Sequence, residues 1–411
     1  MTPEIKRQIE QIQRGEVPEG YKKTKAGIIP SEWEIHPLSQ HLTESRINGT
    51  NGAIAKKLTV KLWNKGVFEK REIHEGSEST TYYRRKAGQL IYSKLDFLNC
   101  AFGIIPKHLD GYESTLDLPC FDISEVNPYY LLAYMTQRNF YTHFGMIADG
   151  GRKARRVGPE DMLSFPLIYP MPAEQEKIAE ILSAQDKLIA LKEKLIEEKK
   201  RQKKALTQQL ITGNKRLPGF SEKWNYVKLN TLLKERKTYS PKGLEYPHVT
   251  LSTEGIYAKS ERYDRDHLVK DENKEYKITY KGDICYNPAN LKFGVICINN
   301  FGDAIFSPIY VTFEIQKGVE LGFLSNYLMR WDFINAVRKY EEGTVYERMA
   351  VKPEDFLRFE IALPPIEEQK AIANILVAAD KEIELLQKEI DQEKQKKKAL
   401  MQLLLTGIVR V

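Results

Sequence analysis

Apolar residues fall on alternating steps of four and three through two stretches of this chain. In the later stretch, Ile372, Leu376, Ala379, Ile383, Leu386, Ile390, Leu400 and Leu404 form one stripe. In the earlier one, Ile178, Leu182, Ile189, Ile196, Leu206 and Leu210 keep the same steps. Gln185, Lys192 and Lys199 fill its intervening steps, and Leu188, Leu191 and Leu195 widen the stripe. A period near 3.5 held over so many turns predicts long helices of the coiled-coil kind. Their ends carry matching signals. Each opens on proline, in PMPAEQE and PPIEEQK, and places acids (Glu174 and Glu176; Glu367 and Glu368) in the first turn, where the helix dipole favours anions. Each closes on lysines (Lys203, Lys204; Lys397, Lys398) and a glycine, Gly213 or Gly407, suited to a left-handed cap. At about 40 residues, each helix would span roughly 60 Å.

The two stretches are copies of each other. Residues 157–213 and 351–407 align without a gap, from VGPEDMLSF and VKPEDFLRF through AEQEKIAEIL and EEQKAIANIL to KKALTQQLITG and KKALMQLLLTG. Half of the positions are identical, against roughly one in fifteen expected for unrelated segments of average composition. The segments between the helices are duplicated more faintly. IPSEWEIHPL answers FSEKWNYVKL, aligning Trp33 with Trp224, and AGQLIYSK answers KGDICYNP, aligning Tyr92 with Tyr286. Strand-like runs such as QLIYSKL, DICYN and IYVTFEI alternate there with Gly, Asn and Pro, then turn helical before the PED segment. This predicts an α+β chain: a helical lead-in (1–20), a first mixed α/β globule (21–171), a spacer helix (172–214), a second globule (215–364) and a second spacer helix (365–408). Neither striped helix is stable alone in water, so the economical partner for each is the other. An antiparallel return then gives the shortest connection and relates the halves by a pseudo-twofold axis.

Composition narrows the function classes. The 411 residues are 42% hydrophobic and 29% charged, with a net charge of +7, which is compatible with a nucleic-acid partner. Cys100, Cys120, Cys285 and Cys297 show no CxxC spacing and read as reduced core thiols, with no metal expected. The polar start MTPEIKRQIEQIQRGEVPEG carries no apolar leader, and no run of about 18 apolar residues occurs, so a cytoplasmic protein without a membrane span is expected.

The order of motifs carries a resemblance. MPAEQEKIAEIL, then ALTQQLITGNKRLPGFSEKW, then LPPIEEQKAIANIL and ALMQLLLTG, with the entry VPEGYKKTKAGIIPSEWEIHPL, resembles the specificity subunit of type I restriction–modification systems over nearly the whole chain, specifically in the helices and weakly in the globules. The resemblance implies two target-recognition domains, each reading one half of a split site in double-stranded DNA. It implies helices that set the gap and dock two modification (methyltransferase) subunits, with restriction (helicase–nuclease) subunits joining them. It implies no cofactor in this chain, S-adenosylmethionine on the modification subunits, and ATP and Mg on the restriction subunits. A non-enzymatic coiled-coil scaffold binding protein or RNA is the competing reading.

Catalytic motifs are not met. NPYY (Asn127 to Tyr130) approaches the (N/D)PPY of amino-methyltransferases but lacks the second proline, and an Asn N-cap with Pro at the first helical position explains it. No HExxH or P-loop occurs, and PEDM and PEDF lack the lysine of a nuclease motif, so no catalytic residue and no activity of the chain alone are expected. For DNA contact the residue types are Arg, Lys, Asn and Tyr that reach base edges and phosphates. In the first globule these are Tyr83, Arg84, Arg85 and Lys86, with Arg152, Lys153, Arg155 and Arg156. In the second they are Arg262, Arg265, Asn287, Asn290, Lys292, Tyr346 and Arg348.

Overall fold

The computed structural model describes residues 3–71, 77–146, 156–241, 246–259, 275–341 and 349–411. The chain is a mixture of helices and strands that divides into two units: Met1–Glu193 with Lys388–Val411, and Lys194–Gln387. The division cuts through both long helices, Pro172–Ile211 and Ile366–Leu404, whose extents match the striped stretches. The first unit is therefore made from two pieces far apart in sequence, and the second from one continuous stretch. Among the described residues no helix is long and apolar enough to cross a membrane.

In the first unit, a four-stranded antiparallel sheet runs in the order Phe102–Ile104, Leu90–Tyr92, Cys120–Ile123, Leu42–Ser45. Its strands are short and apolar on the face that meets the helix Pro128–Met135, giving a core of Tyr92, Phe97, Phe102, Phe121, Tyr130 and Leu131. A three-stranded sheet (Glu113–Ser114, Thr81–Arg84, Ile47–Asn51) and a hairpin (Leu58–Val60 with Val67–Glu69) complete the strand framework. A further pair, Glu34–Pro37 with Pro166–Tyr169, delivers the chain to the first long helix.

The second unit repeats this topology. Its four-stranded sheet runs Ile296–Ile298, Ile284–Tyr286, Val311–Ile315, Leu233–Glu235, and its three-stranded sheet Ala304–Phe306, Glu275–Thr279, Tyr239–Pro241. Val249–Ser252 pairs with Gly255–Ala258, and Asn225–Lys228 with Glu360–Leu363. Sequence similarity that is faint along the globules thus encodes one strand order twice.

The long helices run antiparallel inside each unit. In the first, Lys397 Nζ lies 2.6 Å from Asp186 and Lys192 Nζ 2.7 Å from Glu389. In the second, Lys199 lies 2.6 Å from Glu382 and Lys203 2.5 Å from Asp380. Ile178, Leu182, Ile189, Ile196, Leu210, Ile372, Leu376, Ile390 and Leu404 are buried, whereas Leu206, Ile383, Leu386 and Leu400 are half-buried. The polar steps of the first stripe are partnered: the buried Gln185 amide donates to Glu393 Oε2 (2.7 Å), and Lys192 and Lys199 take the glutamates just named. Leu188, Leu191 and Leu195 do not widen the buried stripe, since they are exposed, Leu191 by 64%. The seam keeps to the alternating four-three steps, where Lys192 and Lys199 meet Glu389 and Glu382, and these leucines lie off those steps.

A ring stack closes the base of the first globule. His36, His41 and Tyr169 stack pairwise with centroids 4.5–5.2 Å apart. His41 Nδ1 faces the Ser124 carbonyl (3.2 Å), His41 Nε2 faces His36 Nδ1 (3.0 Å), and His36 Nε2 faces Glu34 Oε2 (2.8 Å). Burial lowers the His41 pKa; the Ser124 carbonyl opposes it in part, and the smaller effects of His36 (downward) and Glu125 (upward) follow. In the second globule the aligned positions are Val227, Leu232 and Leu363. A depressed histidine binds protons more tightly when unfolded, so it contributes stability that is fully present above about pH 6.5 and is lost as pH falls from there through its lower folded-state pKa. Thermal melts across pH 5–8 should show the first unit weakening on the acid side, and His41→Leu should flatten that slope. An unchanged slope would sink this assignment.

Candidate nucleic-acid interface

What presents the globules is a set of anchors that occurs once in each unit. Trp33 Nε1 donates to Glu174 Oε2 (2.9 Å), and Arg410 grips the same carboxylate through Nε (2.6 Å) and Nη2 (2.9 Å). Trp224 Nε1 donates to Glu368 Oε2 (3.0 Å), and Arg216 grips it through Nε (2.6 Å) and Nη2 (2.7 Å). Both guanidinium groups also lie over the indoles, 5.5 and 5.4 Å from the ring. Burial alone pushes the Glu174 carboxyl up, and the bonds from Arg410 and Trp33 more than offset it, leaving it below its ordinary value. The neighbouring glutamines act alike: Gln175 Nε2 donates to Pro170 O (2.8 Å) while its Oε1 accepts from Asn127 N (3.0 Å), and Gln369 does the same with Pro364 O (2.8 Å) and Glu320 N (2.8 Å). The EQ of each spacer helix is thus a bracket: Glu holds the tryptophan of the globule and the arginine after the other long helix, and Gln holds the start of the globule's own helix.

Two further details fix this joint. Gly213 and Gly407 adopt left-handed φ values of 72° and 71° as the helix-cap pattern predicts. A side chain at Gly407 would meet Pro30 at 2.5 Å and Trp33 at 3.0 Å, so glycine serves the turn and the close approach together. Tyr92 and Tyr286, both fully buried, donate to the carbonyls of Val157 and Val351 at 3.0 Å, tying each sheet to the V-x-PED entry. Asn127 is an N-cap, its Oδ1 accepting from Tyr129 N (2.9 Å) and Tyr130 N (3.2 Å), with Pro128 next. That fully accounts for NPYY in structural terms.

The residues singled out for DNA contact separate into groups. Arg84, Lys86 and Arg156 are exposed, and Tyr83 is half-buried on the strand Thr81–Arg84. Arg156 Nε lies 3.7 Å from Asp117. Lys292 reaches over the Phe293 ring (5.2 Å), beside half-buried Asn290. Two candidates are corrected. Arg85 is 0% exposed: its Nε donates to Ser114 Oγ (2.8 Å), Nη1 to Ser45 O (2.7 Å) and Nη2 to Leu118 O (3.3 Å), so no donor faces outward. Asn287 is buried, with its Oδ1 accepting from Ala289 N (3.1 Å). Arg152, Lys153, Arg155, Arg262, Arg265, Tyr346 and Arg348 lie outside the described residues.

The chemistry of the interior is not nucleophilic. All four cysteines are free and buried; burial pushes Cys100, Cys120 and Cys285 up to about 12 and Cys297 to about 11. Among the described residues no group of His, Cys, Asp and Glu is placed to hold a metal ion. Sequence reading passed over one feature, the hairpin tip from Lys61 to Gly66, where Trp63 is 58% exposed between two lysines. A lone Trp flanked by Lys, Asn and Gly between two strand-like runs was the available signal.

Comparison with known proteins agrees with this architecture. A family profile described as the type I restriction modification DNA specificity domain matches residues 221–394. A Methanocaldococcus jannaschii protein provisionally described as the type I restriction enzyme MjaX specificity subunit is 26% identical, the alignment covering 96% of this chain and 97% of that one. The type I restriction enzyme MjaVIII specificity subunit of the same organism is 27% identical over 59% of this chain and 62% of its own. Among solved structures, the type I restriction–modification system S subunit from M. genitalium has a similar fold, with a TM-score of 0.52 at 12% identity over 93% of this chain and 97% of that one.

Proposed function

We propose, from the premise that the chain belongs to the family of type I restriction–modification specificity subunits, that its two globules read the two halves of one asymmetric, interrupted DNA site. The observation that carries this is the contrast inside the chain. One strand order and one Trp–Glu–Arg bracket occur twice, while the surface residues of the globules differ. A holder used twice with different readers suits a target with two different halves. In this reading the paired helices form an antiparallel coiled coil, relate the globules by a pseudo-twofold axis, set the gap between half-sites and dock two modification subunits in the cytoplasm, with restriction subunits joining them. S-adenosylmethionine belongs to the modification subunits, and ATP and Mg to the restriction subunits. Of the candidate contact residues, the exposed Arg84, Lys86 and Arg156, with half-buried Tyr83, Asn290 and Lys292, are the described ones left available to DNA.

The chain alone is expected neither to methylate nor to cleave DNA, and not to bind S-adenosylmethionine. Co-expressed with its modification subunit it should direct methylation to a bipartite site, which sequencing of methylated DNA reads directly. Asn127→Ala removes a helix cap at a cost of about 1 kcal/mol and should leave the methylated sequence unchanged. Methylation by the isolated chain that vanishes in this variant would overturn the non-catalytic reading. A scaffold for protein or RNA would instead leave methylation without any dependence on the globules.

A further inference from the structure

The hairpin tip of the first globule is built in a conformation that its residues resist. The strands Leu58–Val60 and Val67–Glu69 pair in register, and Lys61 N donates to Gly66 O (2.9 Å) to close the loop. Within it Trp63 and Asn64 are consecutive left-handed residues, with φ of 60° and 53°. A left-handed φ is disfavoured for residues with a side chain, and most for bulky ones. The loop is pinned from below: Trp63 N donates to Asn99 O (2.8 Å) and Asn64 N to Cys100 O (2.9 Å), and Cys100 is itself left-handed, at φ 52°. Cys100 is buried against the aromatic core, so the tip is fixed to the framework of the globule.

What this rigidity presents is an indole. Trp63 is 58% exposed and makes no side-chain hydrogen bond or ring contact among the described residues, and Leu62 beside it is exposed as well. Lys61 and Lys65, both exposed, flank it with no ion-pair partner among the described residues, and no acid lies between Lys61 and Gly66. The corresponding hairpin of the second globule turns through Thr253 and Glu254, with neither tryptophan nor lysine. Backbone strain held in place around an exposed side chain points to use of that side chain. A protein-facing patch would be depleted of lysine, whereas an aromatic between two cations matches a polyanion whose bases can receive a ring or an apolar wedge.

We propose that the Lys61–Gly66 tip is a DNA-contacting wedge peculiar to the first globule, with Lys61 and Lys65 on phosphates and Trp63 against the bases of its half-site. The proposal rests on the DNA-reading function above. It is tested in the full chain assembled with its modification subunit, using a duplex carrying the site mapped by methylation sequencing and a scrambled duplex. Trp63→Ala should weaken binding to the mapped duplex about ten-fold or more, relax sequence choice in the first half-site only, and be partly rescued by Trp63→Phe. Lys61→Ala with Lys65→Ala should weaken both duplexes and reduce the salt slope of log K by about two. Melting curves identify any variant that fails to fold, and the double lysine variant then carries the test, because it leaves the strained turn intact. Unchanged affinity and salt slope in the folded variants, with the wild type still reading its site, would overturn the wedge alone. Lost assembly with normal DNA binding by the assembled fraction would overturn it in favour of a protein contact. A wild-type complex with no preference for any sequence would remove the function and the wedge together.

Discussion

Four residues inserted after Leu195 and four after Leu385 will lengthen the gap between half-sites by about two base pairs and leave the bases read at each side unchanged. The positions follow from the ion pairs. The insertions fall between Lys192–Glu389 and Lys199–Glu382, so each pair keeps its partner within its own unit. Four residues add about 6 Å of helix and hold the stripe close to phase, with slight local unwinding. Methylated-site sequencing reads the outcome. A gap that stays fixed, or a half-site that changes, would mean that helix length does not measure the site. The complementary exchange, replacing residues 221–355 with those of another such domain, should alter one half-site and spare the gap.

Glu368→Ala will destabilise the second unit by about 3 kcal/mol, the larger loss of the two bracket carboxylates. The Glu368 side chain is 0% exposed and accepts from both Trp224 and Arg216, so its removal strands an indole N–H and a guanidinium that is 28% exposed. Breaking a fully buried pair costs about 3–5 kcal/mol, and the partial exposure of the arginine places this variant at the low end. Glu174→Ala should cost about 2 kcal/mol, because Arg410 is 39% exposed and keeps Glu32 at 3.1 Å. Hydrogen exchange along the helix that starts at Ile366 localises the first effect. Protection there equal to wild type in Glu368→Ala would refute the bracket as a source of stability.

The parts of this molecule that could be read beforehand are those governed by periodicity. The stripe from Ile372 to Leu404 and the glycine caps specify a helix whatever surrounds it, and both long helices stand where the pattern puts them. Trp33 and Trp224 could be aligned, as could Glu174 and Glu368, but not the contact between them, since a buried Trp–Glu–Arg contact depends on which segments meet. Arg84 and Arg85 look equivalent by charge, yet Arg84 ends its strand exposed while Arg85 is held inside by Ser114 and the carbonyls of Ser45 and Leu118, partners far from it in sequence. Leu188, Leu191 and Leu195 misled because hydrophobicity tells which residues could pack, whereas the seam follows the four-three steps even where they hold Lys192 and Lys199. Trp63 is different: its Lys, Asn and Gly neighbours mark a turn, but only backbone angles disclose its strain.

The bracket on Trp33 also sets an order of events in biosynthesis. Its second half, Arg410, and the packing residues Leu404, Leu405 and Gly407 leave the ribosome long after Trp33 and Glu174. The first globule, though translated early, must hold the Trp33 site unsealed until about 200 further residues are made, roughly 10–40 s at ordinary elongation rates. Throughout that interval Glu174 has an indole but no cation. A frameshift or cleavage ahead of Leu404 therefore injures the first unit, and a stalled nascent chain exposes an apolar slot shaped for a helix end that has yet to be synthesised.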